Sequence, residues 1–291
     1  RVSRRCIKAE ATARRRPALS QPSTDVSVAA DYYDSDDTAA FYRLCWGGAD
    51  IHIGRYETGH ETVAEASTAM TRYLLGIADL REDDRVLDIA CGYGGTLREL
   101  ARLGCRAGGM DISRVCVEQA RRGLSEAGLA EEVAVKLGDF HDIDSPADAW
   151  DALVCQESII HSPDRPRVFA EAHRVLKPGG VFAVSDILTT DRADPDIVAT
   201  AFDRLRVQDF ATKDDYEAMA RQAGFRVEHA EERPDDIATH YAKLAEALDP
   251  PPEGLNPAAA TRIAASIGDW RTAIEGGHVT WACFVLRNLE A

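Results

Sequence analysis

The stretch RVLDIACGYGG, residues 85–95, is an apolar strand that ends in an acid and runs at once into a loop with three glycines. Glycine lets backbone approach a ligand closely, and this loop hangs from a strand apolar enough to be buried. Outward from it, strands and helices alternate. Strands read at Asp83–Ala90, Cys105–Met110, Glu132–Leu137, 150–158, Val181–Asp186, Gly224–His229 and Val279–Leu286. Helices read at Gly94–Leu103, Ser113–Glu126, Pro163–Leu176, Lys213–Ala223, 234–249 and 257–274, and KPGG at 177–180 is a turn that stops the third of these. The pattern predicts an α/β fold over 80–291, a seven-stranded, mostly parallel sheet with helices on both faces. Residues 29–79 read as a helical lid, broken by WGGADIHIGRY (46–56), whose WGG and HIG glycines turn the backbone. Residues 191–212 read as an insertion containing a helix.

Ligands of such sheets bind at the carboxyl ends of the strands, near the switch point. A dinucleotide loop needs G-x-G-x-x-G, but Gly92 and Gly94 are followed by Leu97 where the third glycine should stand. A phosphate loop needs a lysine, and none is present. Asp88 stands four residues before Gly92, where it would repel a pyrophosphate and suit an ammonium group; it also fits a strand-end carboxylate bonding its own loop. Asp111, nineteen residues after Gly92, ends the second strand and can accept from ribose hydroxyls. In GDFHD (138–142), Asp139 and Phe140 can bracket an adenine. Ammonium, ribose and adenine without phosphate describe S-adenosyl-L-methionine, with S-adenosyl-L-homocysteine as the product.

Composition narrows the partners. The chain has 291 residues, 45% of them hydrophobic, and a formal net charge of −15. Residues 1–16 hold seven basic residues and one acid, so the remainder carries −21. Such a body repels nucleic acid and anionic membranes. No apolar run approaches the roughly 18 residues a membrane span needs, so a soluble protein is expected. The seven cysteines form no CxxC pair, which offers neither a zinc site nor a disulfide framework. Residues 1–28, rich in Arg, Ser, Thr and Ala, read equally as a transit peptide or a disordered leader. The expected location is cytoplasmic, or organellar if that leader is an address. A homodimer is compatible with the sequence and not required by it.

Several motifs together resemble the class I S-adenosylmethionine-dependent methyltransferases. VLDIACGYGG looks like their first motif, with Ala90 where glycine is commoner; GGMDIS (108–113) resembles the acidic ribose strand, bringing in Ile112; GDF looks like the adenine motif; VLKPGG (175–180) is typical of the turn before the fifth strand. The stretches 31–56, RPDDIATHYAKLAEAL (233–248) and GGHVTWACFVLRN (276–288) resemble the sarcosine/dimethylglycine N-methyltransferases. That resemblance implies N-methylation of sarcosine, dimethylglycine or both, in glycine betaine synthesis. It also suggests that Tyr33 reaches the cofactor carboxylate and that Gln156 faces the cofactor.

An attacking amine must be neutral, so a neutral imidazole is a better neighbour than a carboxylate. His161, in QESIIHSPD just past the fourth strand, is the candidate for substrate contact and for a base; capping the next helix is its plainer role. Aromatic faces favour a quaternary ammonium product, and Tyr42, Trp46, Tyr56 and Tyr241 lie on segments placed to close over the site. The acceptor's carboxylate asks for a cation. Arg204 and Arg206, two apart on the inserted helix, face different ways, so one of them is expected to point inward, with the resemblance favouring Arg204. The alternatives are a methyltransferase on phosphoethanolamine, a sterol or tocopherol-like lipid or a natural product, and, from a different class, a sensor that binds the cofactor without turnover.

Overall fold

The structure, a computed structural model, describes residues 27–289; the basic tail over 1–26 lies outside the described residues. The described residues begin with three helices, α1 (Ser27–Tyr33), α2 (Asp36–Cys45) and α3 (Val63–Ile77). Ser35 caps α2, and Thr62 with Glu65 forms a reciprocal capping box at α3. The alternating part follows as β1 (Arg85–Asp88), α4 (Gly95–Arg102), β2 (Arg106–Asp111), α5 (Arg114–Glu126), β3 (Ala134–Leu137), β4 (Trp150–Gln156), α6 (Arg165–Val175) and β5 (Leu176–Thr189). The remainder is α7 (Pro195–Phe202), α8 (Lys213–Gln222), β6 (Phe225–Glu232), α9 (Pro234–Ala247), α10 (Pro257–Glu275) and β7 (Val279–Asn288).

The seven strands form one sheet in the order β3-β2-β1-β4-β5-β7-β6. All pairs are parallel except β5–β7 and β6–β7. Strand side chains alternate between two apolar layers, as the two-residue repeat requires. Val86, Val154 and Ala183 face α3, α4 and α5, whereas Leu87, Leu153 and Phe182 face α6 and α8. The order reverses between β1 and β4, which opens a crevice at their carboxyl ends.

Two local expectations change. KPGG stops α6 but does not separate it from the strand: β5 begins at Leu176, and 177–180 bulge between the Trp150–Leu176 and Ala152–Val181 pairs, with Gly179 at φ +78°. β5 also runs on to Thr189, because antiparallel β7 pairs with it along Val181–Thr189. In the insertion, α7 ends at Phe202. Arg204 sits in a 3₁₀ turn, Asp203–Leu205, and Arg206 follows at φ +55°. The two arginines therefore share no helix. Arg204 is partly buried, whereas Arg206 is exposed. Among the described residues no helix is long and apolar enough to cross a membrane. The six described cysteines are buried free thiols.

Candidate active site

A cleft of about 870 Å³, measured with its open mouth, lies over the crevice. Asp88 ends β1 at its floor and accepts the Ala90 N–H at 3.2 Å. Burial, with Asp111 nearby, pushes its carboxyl up to about 7. Asp111 ends β2 and accepts the N–H groups of Gly92 and Ser113, each at 2.9 Å. Burial lifts it to about 6 against those bonds. Ala90, Gly92, Ile112, Asp139 and Phe140 line the same cleft. Asp139 is shared with His141, whose N–H donates to it at 2.8 Å.

Gly94 does not line the cleft. It holds φ +81° at the N-cap of α4, and a Cβ there would lie 3.2 Å from Ala120. Gly95 lines it instead, and for a reason absent from the motif reading: a Cβ would fall 1.6 Å from Oδ1 of Asp50. The acid of the 46–56 segment thus rests on the first turn of α4, which favours negative charge.

Gln156, at the end of β4, donates to Thr71 Oγ1 (3.2 Å) and Thr96 Oγ1 (2.9 Å). Its Oε1 is buried with no partner among the described residues. An orphaned acceptor and two buried acids with no ion-pair partner among the described residues form a site for a ligand with an ammonium group and hydroxyls, and Phe140 offers a ring face for a base.

A second cavity of about 380 Å³ adjoins the first; Tyr33, Ile51, Glu157 and His161 line both. Tyr42, Trp46, Tyr241 and Arg204 also line it, together with Ile53, Ile160, Ile187 and Leu205. Tyr33 stacks on Tyr42 at 5.9 Å, and Tyr42 meets Trp46 at 5.0 Å. Arg204 donates to Ser266 Oγ (3.0 Å) and to the Tyr32 hydroxyl, and it makes no ion pair among the described residues. Nε2 of His161 lies 3.2 Å from the Tyr33 hydroxyl. Burial, with Arg165 and Arg204 nearby, drives the imidazole down to about 4, so it is neutral at ordinary pH.

Tyr56 and Arg206 line neither cavity. Tyr56 is taken up by α9: its N–H donates to Asp236 (2.7 Å) and its hydroxyl contacts Nδ1 of His240 (3.0 Å). Arg206 is turned to solvent by the left-handed residue that ends the 3₁₀ turn.

Three further residues of the site escaped the sequence reading: Asp50, His52 and Glu157. His52 lies 3.4 Å from Asp50 and 3.0 Å from Thr71 Oγ1. Burial opposes its imidazolium, but Asp50 and Glu157 hold it up to about 9. Both oxygens of Glu157 accept the Ile53 N–H, at 2.8 and 2.9 Å. Glu157 directly follows β4, so the strand-end logic that singled out Asp88 and Asp111 applied to it too. Asp50 and His52 carried no such signal, because a long loop gives no direction to its side chains.

A doubly wound sheet with acids at the ends of β1 and β2 and an aromatic pocket beside them defines a methyltransferase. Residues 86–180 match the family described as a methyltransferase domain. The chain is 33% identical over 268 residues to a dimethylglycine N-methyltransferase of Parasynechococcus marenigrum, covering 90% of this chain and 96% of that one. It is 31% identical over 269 residues to a sarcosine/dimethylglycine N-methyltransferase of Halorhodospira halochloris, with the same coverage, 90% and 96%. A crystal structure from Galdieria sulphuraria, assigned as a sarcosine dimethylglycine methyltransferase, superposes with a TM-score of 0.81 at 30% identity, covering 87% of this chain and 99% of that one. The chain belongs to the sarcosine/dimethylglycine N-methyltransferase family.

Proposed function

We propose that this enzyme methylates the amine of sarcosine, dimethylglycine or both with S-adenosylmethionine, in the formation of glycine betaine. The observation that carries the acceptor is Arg204. A guanidinium without an ion-pair partner among the described residues is set in an aromatic pocket of a protein whose net charge is −15. A carboxylate-bearing acceptor supplies the missing counter-charge, and the forked guanidinium fixes its orientation. The faces of Tyr33, Tyr42, Trp46 and Tyr241 suit the methylammonium end.

In this reading Asp111 accepts from the ribose, Asp139 and Phe140 hold the adenine, and Asp88 with Gln156 takes the amino-acid end. S-adenosylmethionine supplies a methyl group on a sulfonium. The chain aligns the acceptor amine with that carbon and removes water from between them. Residues 29–79 act as the lid and 191–212 provide Arg204. Tyr33 to His161 and Ile53 to Glu157 tie lid to core across the join of the two cavities. His161, held neutral, orients Tyr33 and the acceptor. The location in this reading is cytoplasmic, or organellar with the basic leader as its address; imaging the tagged full chain in cells distinguishes these.

Labelled-methyl transfer from S-adenosylmethionine to glycine, sarcosine, dimethylglycine, phosphoethanolamine and a sterol tests the proposal. Label should appear in sarcosine or dimethylglycine. Label only in phosphoethanolamine or sterol overturns it, and no transfer at all favours a sensor.

A further inference from the structure

An amino-acid acceptor arrives in water as an ammonium ion, and its nitrogen has no lone pair until a proton leaves. Something in the second cavity has to receive it. His161 is a poor receiver: its imidazole, pushed down to about 4 by burial and two arginines, lies far below an amine's ordinary value of about 10. The tyrosines there are proton donors at any working pH. Resting on the acceptor reading above, we propose that the carboxylate of Glu157 binds the acceptor's ammonium group and removes its proton.

Three features of the geometry support this assignment. Glu157 is one of four residues that line both cavities, so its carboxylate stands where the acceptor nitrogen meets the cofactor cleft. It holds φ +52°, a strained conformation for a residue with a long side chain, and such strain persists where surrounding structure enforces it. Among the described residues its carboxylate takes a hydrogen bond from the Ile53 N–H, shared by both oxygens, with the Trp281 indole nearby, which leaves lone pairs free for a ligand. The lid backbone therefore aims the carboxylate without neutralising it.

Its surroundings tune it. Burial pushes the carboxyl up, and Asp186 within β5 adds to this. His52, the Ile53 N–H and the Trp281 indole from β7 pull it back, with a result of about 8. Tyr241, Arg204 and His161 face the same cavity. A carboxyl at that level is far closer to an ammonium than an ordinary glutamate is, so the transfer is less uphill. In the step, an N–H bond of the ammonium breaks and its proton bonds to a Glu157 oxygen. The freed nitrogen pair forms the new N–C bond, and the pair of the broken S–C bond stays on sulfur. The positive charge ends on the methylated nitrogen, beside the aromatic faces, and the proton leaves Glu157 to solvent when the lid opens.

The test compares wild type, Glu157→Gln and Glu157→Asp with dimethylglycine from pH 6 to pH 10. Glutamine keeps an acceptor for Ile53, and aspartate keeps the charge and tolerates positive φ. In wild type, kcat/KM should level off above about pH 8. Glu157→Gln should lose about 10²-fold or more at pH 7 and climb tenfold per pH unit toward 10, as solution supplies the neutral amine. Glu157→Asp should keep the wild-type shape at a lower level. A second readout needs no turnover. Calorimetry of dimethylglycine binding to the S-adenosylhomocysteine complex, in buffers of different ionisation enthalpy, should show a proton released near pH 7 in wild type and none in Glu157→Gln. A glutamine variant whose pH profile parallels wild type, or wild-type binding with no proton released, overturns the inference. Failure of wild type to methylate dimethylglycine or sarcosine overturns the acceptor reading itself, a separate outcome.

Discussion

The hydroxyl of Tyr33, on α1, lies 3.2 Å from Nε2 of His161, in the short 3₁₀ turn Ile159–His161 after β4, although 128 residues separate them in the chain. The contact joins α1 to the strand-end loop at the junction of the two cavities. Burial, with Arg165 and Arg204 nearby, holds the imidazole neutral, and a neutral ring can take either role in this bond. The positions of the two residues therefore depend on each other.

His161→Ala and Tyr33→Phe should each raise KM for the acceptor and lower kcat/KM, and the double variant should lose little more than either single one. The lost hydrogen bond itself is about 0.5–1.5 kcal/mol. His161 titrates near 4, so neither change should alter the shape of the pH profile between 6 and 9. Steady-state kinetics of the three variants is the check; a displaced acid limb in His161→Ala would make the imidazole a base after all.

Arg204 and Arg206 separate cleanly. Arg204→Ala should weaken acceptor binding by roughly 2–5 kcal/mol, because the carboxylate loses its counter-charge in a desolvated pocket. Arg204→Lys should recover only part, having charge but no fork. Arg206→Ala, turned to solvent, should behave as wild type. Equal kcat/KM for Arg204→Ala and wild type would remove Arg204 from the site.

Asp111 supports its own loop through Gly92 and Ser113. Replacement by alanine should cost roughly 1–3 kcal/mol in cofactor binding. Asparagine retains one acceptor and should fall between alanine and wild type. Calorimetry with S-adenosylhomocysteine measures both, and an unchanged dissociation constant for Asp111→Ala contradicts the assignment.

Stability should respond to pH through the buried acids. Asp111, Asp88 and Glu157 sit at about 6, 7 and 8, all above their unfolded values. The folded protein binds more protons than the unfolded chain, and that advantage is lost as pH rises through the folded values. The melting temperature of the ligand-free protein should therefore fall from pH 6 to pH 8. The fall should shrink in Asp88→Asn. A melting temperature that rises over this interval would contradict the placement of these acids.

Gly95→Ala should loosen the lid without unfolding the core. The new Cβ would overlap Asp50 Oδ1 and stand 2.8 Å from the Ala49 carbonyl oxygen, so the 46–56 segment has to move. KM for the acceptor should rise while the melting temperature drops only modestly. Unchanged kinetics would show that this segment does not govern the pocket.

The sequence by itself determined the order of elements and the strand-end acids that line the first cleft. Strand and helix repeats are local, and the acids of β1 and β2 are placed by the strands that carry them, so Asp88 and Asp111 are legible once the strands are. Which residues wall the second cavity was decided only by tertiary structure. Arg204 and Arg206 look alike in the chain, and it is the 3₁₀ turn and the left-handed residue ending it that turn one inward and the other to solvent. Tyr56 and Trp46 lie on one loop, yet α9 claims the first and the pocket the second. Glu157 meets Ile53 across 104 residues, and no local pattern specifies a contact at that separation. Loop side chains take their direction from whatever packs against them, and that is known only when the lid, the insertion and the strand ends have come together.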